Sequence, residues 1–342
     1  MKNNAIQNDP QGRAEHGNLV KMVLFSLLGS VVLLAVVAWS ADLGLLRQLL
    51  SHVDRFWLGG AAACMVVLQC VSGLRLATLL PDAEGRSGPM YASAVEVAFL
   101  CQALIKILPF RLGEVAFFWL AKMKLYAPFD RTLGVFLRFR LWDLRVMAIS
   151  FILCAGWVAM RQYAWLKVYI GVAGILGVAF FLLSPVRILS LADKVFRFLT
   201  LLPGLGFLRS FSEMLEKAVA RFDEEQTVSG TTLLMQSVVI WAWYFIVIYC
   251  LIQSLGIAVG PVAAIAVASG MTLVGIVPLQ TVGGLGLVEI GQASLYMLAG
   301  LPVAEAASSS LAVSVLFLML CIVVPGAMWA LFAFARLVSR RG

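Results

Sequence analysis

A helix needs roughly 20 apolar residues to cross a bilayer, and runs near or above that length recur along this chain. They lie at residues 22–40, 57–80, 132–160, 165–184, 231–255 and 308–335. No stretch shows the strand-period alternation of a membrane β-barrel. The expected fold class is therefore all-α: a polytopic integral membrane protein with about six full spans. Composition agrees, since 62% of residues are hydrophobic and 13% charged, about half the charge of a soluble domain.

Two further apolar regions, 93–126 and 262–299, are broken. The first is interrupted by Pro109 and Gly113, the second by Pro278, Gly283, Gly284 and Gly286. Each reads as a hairpin of two short helices returning to its starting face. The sidedness of the basic residues favours that reading, because the cytoplasmic side carries an excess of Lys and Arg. With hairpins and a cytoplasmic N-terminus, only Arg47, Arg55, Arg161 and Lys167 fall outside, whereas Arg75, Lys122, Lys124, Arg131 and the basic residues of 187–225 fall inside. One hairpin then enters from each face, as in an inverted repeat.

The chain divides into a polar cytoplasmic leader, 1–21, and a single transmembrane domain, 22–342. The leader is too long for a signal n-region, so 22–40 is read as a retained span. Amphipathic interfacial segments are expected at 42–56 and 187–225, the second from apolar residues such as Leu208, Phe211 and Leu215 at helical spacing. Trp39, Trp57, Trp157, Trp165 and Trp241 near span ends are read as interfacial anchors.

Several function classes are excluded. The six cysteines sit in apolar stretches without CxxC pairing, both histidines lie outside the spans, and no GxxxxGK motif occurs. No cofactor, metal site or ATP hydrolysis is expected. The net charge of +8 is read as membrane topology, so no nucleic-acid partner is expected.

The broken segments resemble each other: ILPFRLGEVAFFWLA (107–121) and IVPLQTVGGLGLVEIGQASLYMLA (276–299) both run from Ile-x-Pro to Gly and then Glu. Paired Gly/Pro interruptions in two halves point to a transporter's binding site. Irregular backbone at membrane depth survives only where protein or a water-filled cavity supplies hydrogen-bond partners. Half-helices starting near Gly113 and Gly286 would offer free N–H groups and a positive dipole end to an anion such as phosphate.

Intramembrane charges are functional candidates by default. Here they are Glu96, Lys106, Arg111, Glu114, Arg138, Arg140, Asp143, Arg145 and Glu289. Arg111, Glu114, Arg140, Asp143 and Glu289 are assigned to substrate binding, with Asp143 orienting Arg140 from the i,i+3 position. Pro109, Gly113, Pro278, Gly283, Gly284 and Gly286 are assigned to the helix breaks. Arg138 and Arg145 share the other face, where Arg138 is expected to snorkel to headgroups. The competing reading makes the five binding candidates buried ion pairs that staple helices together. Glu96 and Lys106 show no shared face.

PFRLGE (109–114), RLWD (140–143) and PLQTVGGLGLVE (278–289) together resemble the lysylphosphatidylglycerol synthase transmembrane-domain family, also described as flippase-like. The resemblance spans nearly the whole chain and matches Pro109, Arg111, Gly113, Glu114, Arg140, Asp143, Pro278, Gly283, Gly284, Gly286 and Glu289. Phe117 and Phe118 stand where many members carry an Arg. The resemblance implies a lipid translocase in the bacterial inner (plasma) membrane, with both termini cytoplasmic and a membrane lipid as substrate. The family's aminoacyl-transferase domain has no counterpart in this sequence, so a transporter is expected rather than an enzyme. Two other classes were weighed: a non-transporting partner of a separate lipid- or glycan-modifying enzyme, and an intramembrane enzyme using Glu114 and Asp143 as acid and base. The second lacks a nucleophile motif.

Overall fold

The computed structural model describes residues 31–32, 34–80, 87–108, 112–162, 194, 228–275 and 286–339, and every regular element among them is helical. The leader 1–21, most of span 22–40, span 165–184 and nearly all of 187–225 lie outside the described residues. So do Pro109, Arg111, Pro278, Gly283 and Gly284.

Helix α1 (Leu34–Ser40) meets α2 (Leu43–Ser51) at a bend of 93°. The turn is set by Asp42, whose carboxylate accepts from the N–H groups of Gly44 (2.8 Å) and Leu45 (3.1 Å) as the α2 N-cap. Leu46, Leu49 and Leu50 share one α2 face and pack on the core. Beyond it come α3 (Arg55–Leu79), α4 (Ser87–Ile107), α5 (Leu112–Leu125), α6 (Phe129–Gln162), α7 (Gly230–Ser254), α8 (Pro261–Val274), α9 (Leu287–Leu298) and α10 (Val303–Ser339). Four of these, α3, α6, α7 and α10, are long and apolar enough to cross a membrane. They coincide with four expected spans. Under half of each span's apolar window is buried, and side chains such as Leu153, Met319 and Val323 remain outward, as a lipid-facing surface requires.

Both broken regions form antiparallel helix pairs. The second has two short arms, 14 and 12 residues. The first differs from the expectation: α4 has 21 residues and α5 has 14, because α4 begins at Ser87 rather than near Ser93. Two glycines allow the close packing. A Cβ on Gly73 would lie 2.4 Å from the Val95 Cα, and one on Gly113 would lie 2.3 Å from the Ile105 Cα. Thus α3 and α5 each press against the α4 backbone.

The ends of the bundle can be aligned. Asp54 N–H donates to the Ser254 carbonyl at 2.8 Å, joining the start of α3 to the end of α7. Arg161, Pro261 and Ala299 line one cleft of about 490 Å³, placing the end of α6, the start of α8 and the end of α9 at the same level. From this upper end, helical rise of about 1.5 Å per residue puts Ser310 on α10 about 11 Å down and Phe317 about 21 Å down. The same rise puts Ser237 about 26 Å and Arg75 about 30 Å down.

Both hairpins rest on α10 between those levels. Ser310 Oγ reaches the Glu289 carbonyl (2.9 Å) and Gln292 Oε1 (3.2 Å) of α9, and Ser314 Oγ reaches the same Gln292 oxygen at 3.4 Å. Lys106 Nζ sits 4.9 Å from the Phe317 ring centroid, and Gln102 Nε2 donates to Cys321 Sγ at 3.3 Å. The tip contacts of the two hairpins therefore fall on consecutive turns of one helix.

Candidate functional site

Helices α3, α6 and α7 meet at a charged group near the lower end. Arg75 donates two parallel hydrogen bonds to Asp143, Nη1 to Oδ1 at 2.7 Å and Nη2 to Oδ2 at 3.0 Å. Ser237 Oγ donates to the same Oδ1 at 2.8 Å. Arg75 is 8% exposed, Asp143 6% and Ser237 0%. A two-point arginine–carboxylate pair sealed from solvent with an extra donor is a satisfied network, which is the condition for tolerating buried charge. It is a staple.

A second ion pair lies beside it and is open. Arg140 Nη2 meets Glu114 Oε1 at 2.8 Å, with side chains 41% and 23% exposed. Glu114 stands in the first turn of α5, one residue after the Gly113 contact, so the hairpin tip delivers it to α6. Its negative charge near a helix N-terminus is also favourable. The Arg75 and Arg140 guanidiniums lie 4.7 and 6.0 Å from the centre of one ring, Phe139, and Arg140 also lies 5.1 Å from Phe136. Phe117 and Phe118 complete an aromatic cluster with Phe129, Phe136 and Phe139.

This arrangement corrects the expected pairing. Asp143 orients Arg75, not Arg140, because an i,i+3 neighbour on one helix is outcompeted by a guanidinium arriving from α3. Arg75, counted on the cytoplasmic side, is buried between helices. Arg138, expected to snorkel, is 6% exposed, and Arg145 is 2% exposed with its guanidinium 4.6 Å from the Trp142 ring. The α6 face expected to look outward is thus packed, while Arg140 is the open one.

Glu289 belongs to another place. It is 1% exposed, and its Oε2 accepts from the backbone N–H of Gly286 at the start of its own helix. Gly286 has φ 93°, a conformation L side chains rarely adopt, and serves as the N-cap of α9. The Glu289 carboxylate therefore occupies part of the half-helix end expected to face an anion. The structure brings Glu114, Arg140 and Asp143 together near the lower end and leaves Glu289 on the α9–α10 seam; Arg111 is outside the described residues.

Three other charges resolve. Glu96, 4% exposed, pairs with Lys124 at 2.7 Å and ties α4 to α5. Lys106 faces α10. Trp39 and Trp157 are exposed as anchors would be, but Trp57 packs on Tyr249 and Trp241 on Tyr244 inside the bundle.

Sequence reasoning missed Arg75 as a site residue, and with it Ser237 and Phe139. A signal for Arg75 existed: it falls inside the apolar run 57–80 rather than after it.

A bundle of long apolar helices around two paired short-helix hairpins, with ion pairs sealed into it, defines a polytopic α-helical membrane domain. The chain matches the family model described as the lysylphosphatidylglycerol synthase TM region over residues 23–326, and it belongs to that family. No curated protein and no solved structure matches it.

Proposed function

We propose that the protein is a lipid translocase, passing a phosphate-bearing headgroup through the bundle while the acyl chains stay in the bilayer. The observation that carries this reading is the half-exposed Arg140–Glu114 pair at the tip of the first hairpin. Arg75, Arg138, Asp143 and Arg145 around it are packed away. Here a guanidinium keeps donors available at a depth where an isolated charge is costly, so the site must see water or an anionic ligand. The family's relation to lipid handling supports the same direction.

In this reading Arg140 takes the phosphate, as guanidinium geometry favours. Glu114, released from that pair, accepts the headgroup's amine or hydroxyl. Arg111 is assigned by its place in PFRLGE to the same group. Arg75, Asp143 and Ser237 hold α3, α6 and α7 together beneath it. The lower end is the cytoplasmic side of the inner membrane, on the strength of the basic-residue bias. The hairpins enter from opposite faces, and their neighbouring contacts on α10 support an inverted-repeat arrangement. With no nucleotide motif in the chain, movement is downhill or coupled to an ion gradient.

The experiment is movement of labelled phospholipids between leaflets of proteoliposomes, comparing the native chain with Arg140→Ala. Movement by the native protein and its loss in a folded variant is the expected result. Equal movement in both would overturn the assignment.

A further inference from the structure

We infer that Lys106 is a second phosphate station, placed between the tip of the first hairpin and α10 and facing α10 where Glu114 faces α6 and Arg140. The inference rests on the translocase reading and adds a step to its path.

Each described carboxylate at membrane depth is committed elsewhere. Glu96 is held by Lys124, Glu114 by Arg140, Asp143 by Arg75, and Glu289 by the N-terminus of its own helix. Among the described residues none forms an ion pair with Lys106. What the ammonium has is the Phe317 ring at 4.9 Å. A ring face and the carbonyl end of α4 attract a cation but leave its charge uncompensated. Lys106 is half-buried rather than sealed, so its ammonium is within reach of an anion.

The position fits a path. Gly113 packs on the backbone of Leu104 and Ile105, so Lys106 on α4 and Glu114 on α5 flank one helix crossing. Glu114 turns to α6 and Arg140; Lys106 turns to α10 and Phe317. The hairpin tip thus presents an open cation site on one side and an uncompensated cation on the other. A phosphate passing from the α6 side of this crossing to its α10 side would meet Lys106 next. Gln102, one turn earlier on α4, adds an amide beside it.

The test measures inter-leaflet movement of a labelled phosphatidylglycerol and of a labelled phosphate-free glycolipid, using native protein, Lys106→Met, Lys106→Arg and Arg140→Ala. The expected result is that Lys106→Met slows the phospholipid by about tenfold or more, Lys106→Arg retains most of the movement, and the glycolipid is unaffected by any Lys106 change. If Arg140→Ala abolishes movement while Lys106→Met matches the native protein, the second station is wrong and the translocase reading stands. If neither variant alters movement, both fall. Should Lys106→Met fail to fold, native protein is treated with a phospholipid carrying a headgroup aldehyde, and the imine formed with any amine it reaches is trapped by borohydride. A trapped adduct at Lys106, suppressed by excess phosphatidylglycerol, supports the station; adducts elsewhere but none at Lys106 overturn it.

Discussion

Arg75 and Asp143, 68 positions apart in sequence, form a two-point ion pair at 2.7 and 3.0 Å that joins α3 to α6. Both ends are buried, so removing one partner strands the other. Arg75→Ala should cost about 3–5 kcal/mol, whereas Arg75→Met combined with Asp143→Leu should recover most of that loss. Thermal unfolding in detergent reads both. A single variant as stable as the native chain would show the pair to be dispensable.

The open pair should behave differently. Because Arg140 and Glu114 are 41% and 23% exposed, breaking them should change stability by no more than about 1 kcal/mol. Arg140→Ala is therefore expected to unfold near the native temperature while losing lipid movement. A large fall in melting temperature would class this pair as a second staple.

Glu289 separates two roles cleanly. Glu289→Ala removes the acceptor for Gly286 N–H and should cost about 1–2 kcal/mol, as loss of a helix cap does. Glu289→Gln retains an acceptor and should cost about 1 kcal/mol or less. Lipid movement by folded Glu289→Gln at the native rate would confine the residue to capping.

Close packing predicts a glycine pattern. Gly73→Ala and Gly113→Ala place a methyl 2.4 and 2.3 Å from the α4 backbone and should each destabilise by about 1–3 kcal/mol. Gly134→Ala meets nothing within 4 Å and should be neutral or stabilising. The order of the three melting temperatures checks this.

Sidedness is measurable with single cysteines in a chain whose six native cysteines are replaced. Tyr126, 76% exposed at the lower end, and Ala299, at the upper cleft, should label from opposite sides of the membrane. Labelling of both from one side would break the hairpin topology.

Much of the fold was legible because apolar run length is a one-dimensional property. The runs at 57–80, 132–160, 231–255 and 308–335 needed no partner to be recognised. The short arms of the second hairpin followed from Gly286 and Pro278 in the same way. Pairing was not legible. Helical period shows that Arg140 and Asp143 are neighbours and that Arg138 and Arg145 share a face, but not which face meets α3. That phase depends on Arg75 and Ser237, from segments distant in sequence. Glu114 was assigned to the site and meets Arg140 there, 26 positions on in the next helix. Glu289 stands three residues after Gly286, the spacing of a capping box, a local signal that the sequence analysis did not use.

The shared support of both hairpins constrains how they can move. Ser310 and Ser314 hold one tip, and Phe317 and Cys321 touch the other, all on one continuous helix. Neither tip can slide along α10 without breaking its own contacts, which lie one turn from its counterpart's. Pro325 has no N–H to offer the Cys321 carbonyl, so the helix loses a rung just below the last of these contacts. The stretch from Ser310 to Cys321 is thus one footing shared by both hairpins, and it ends at a carbonyl left without its helical donor.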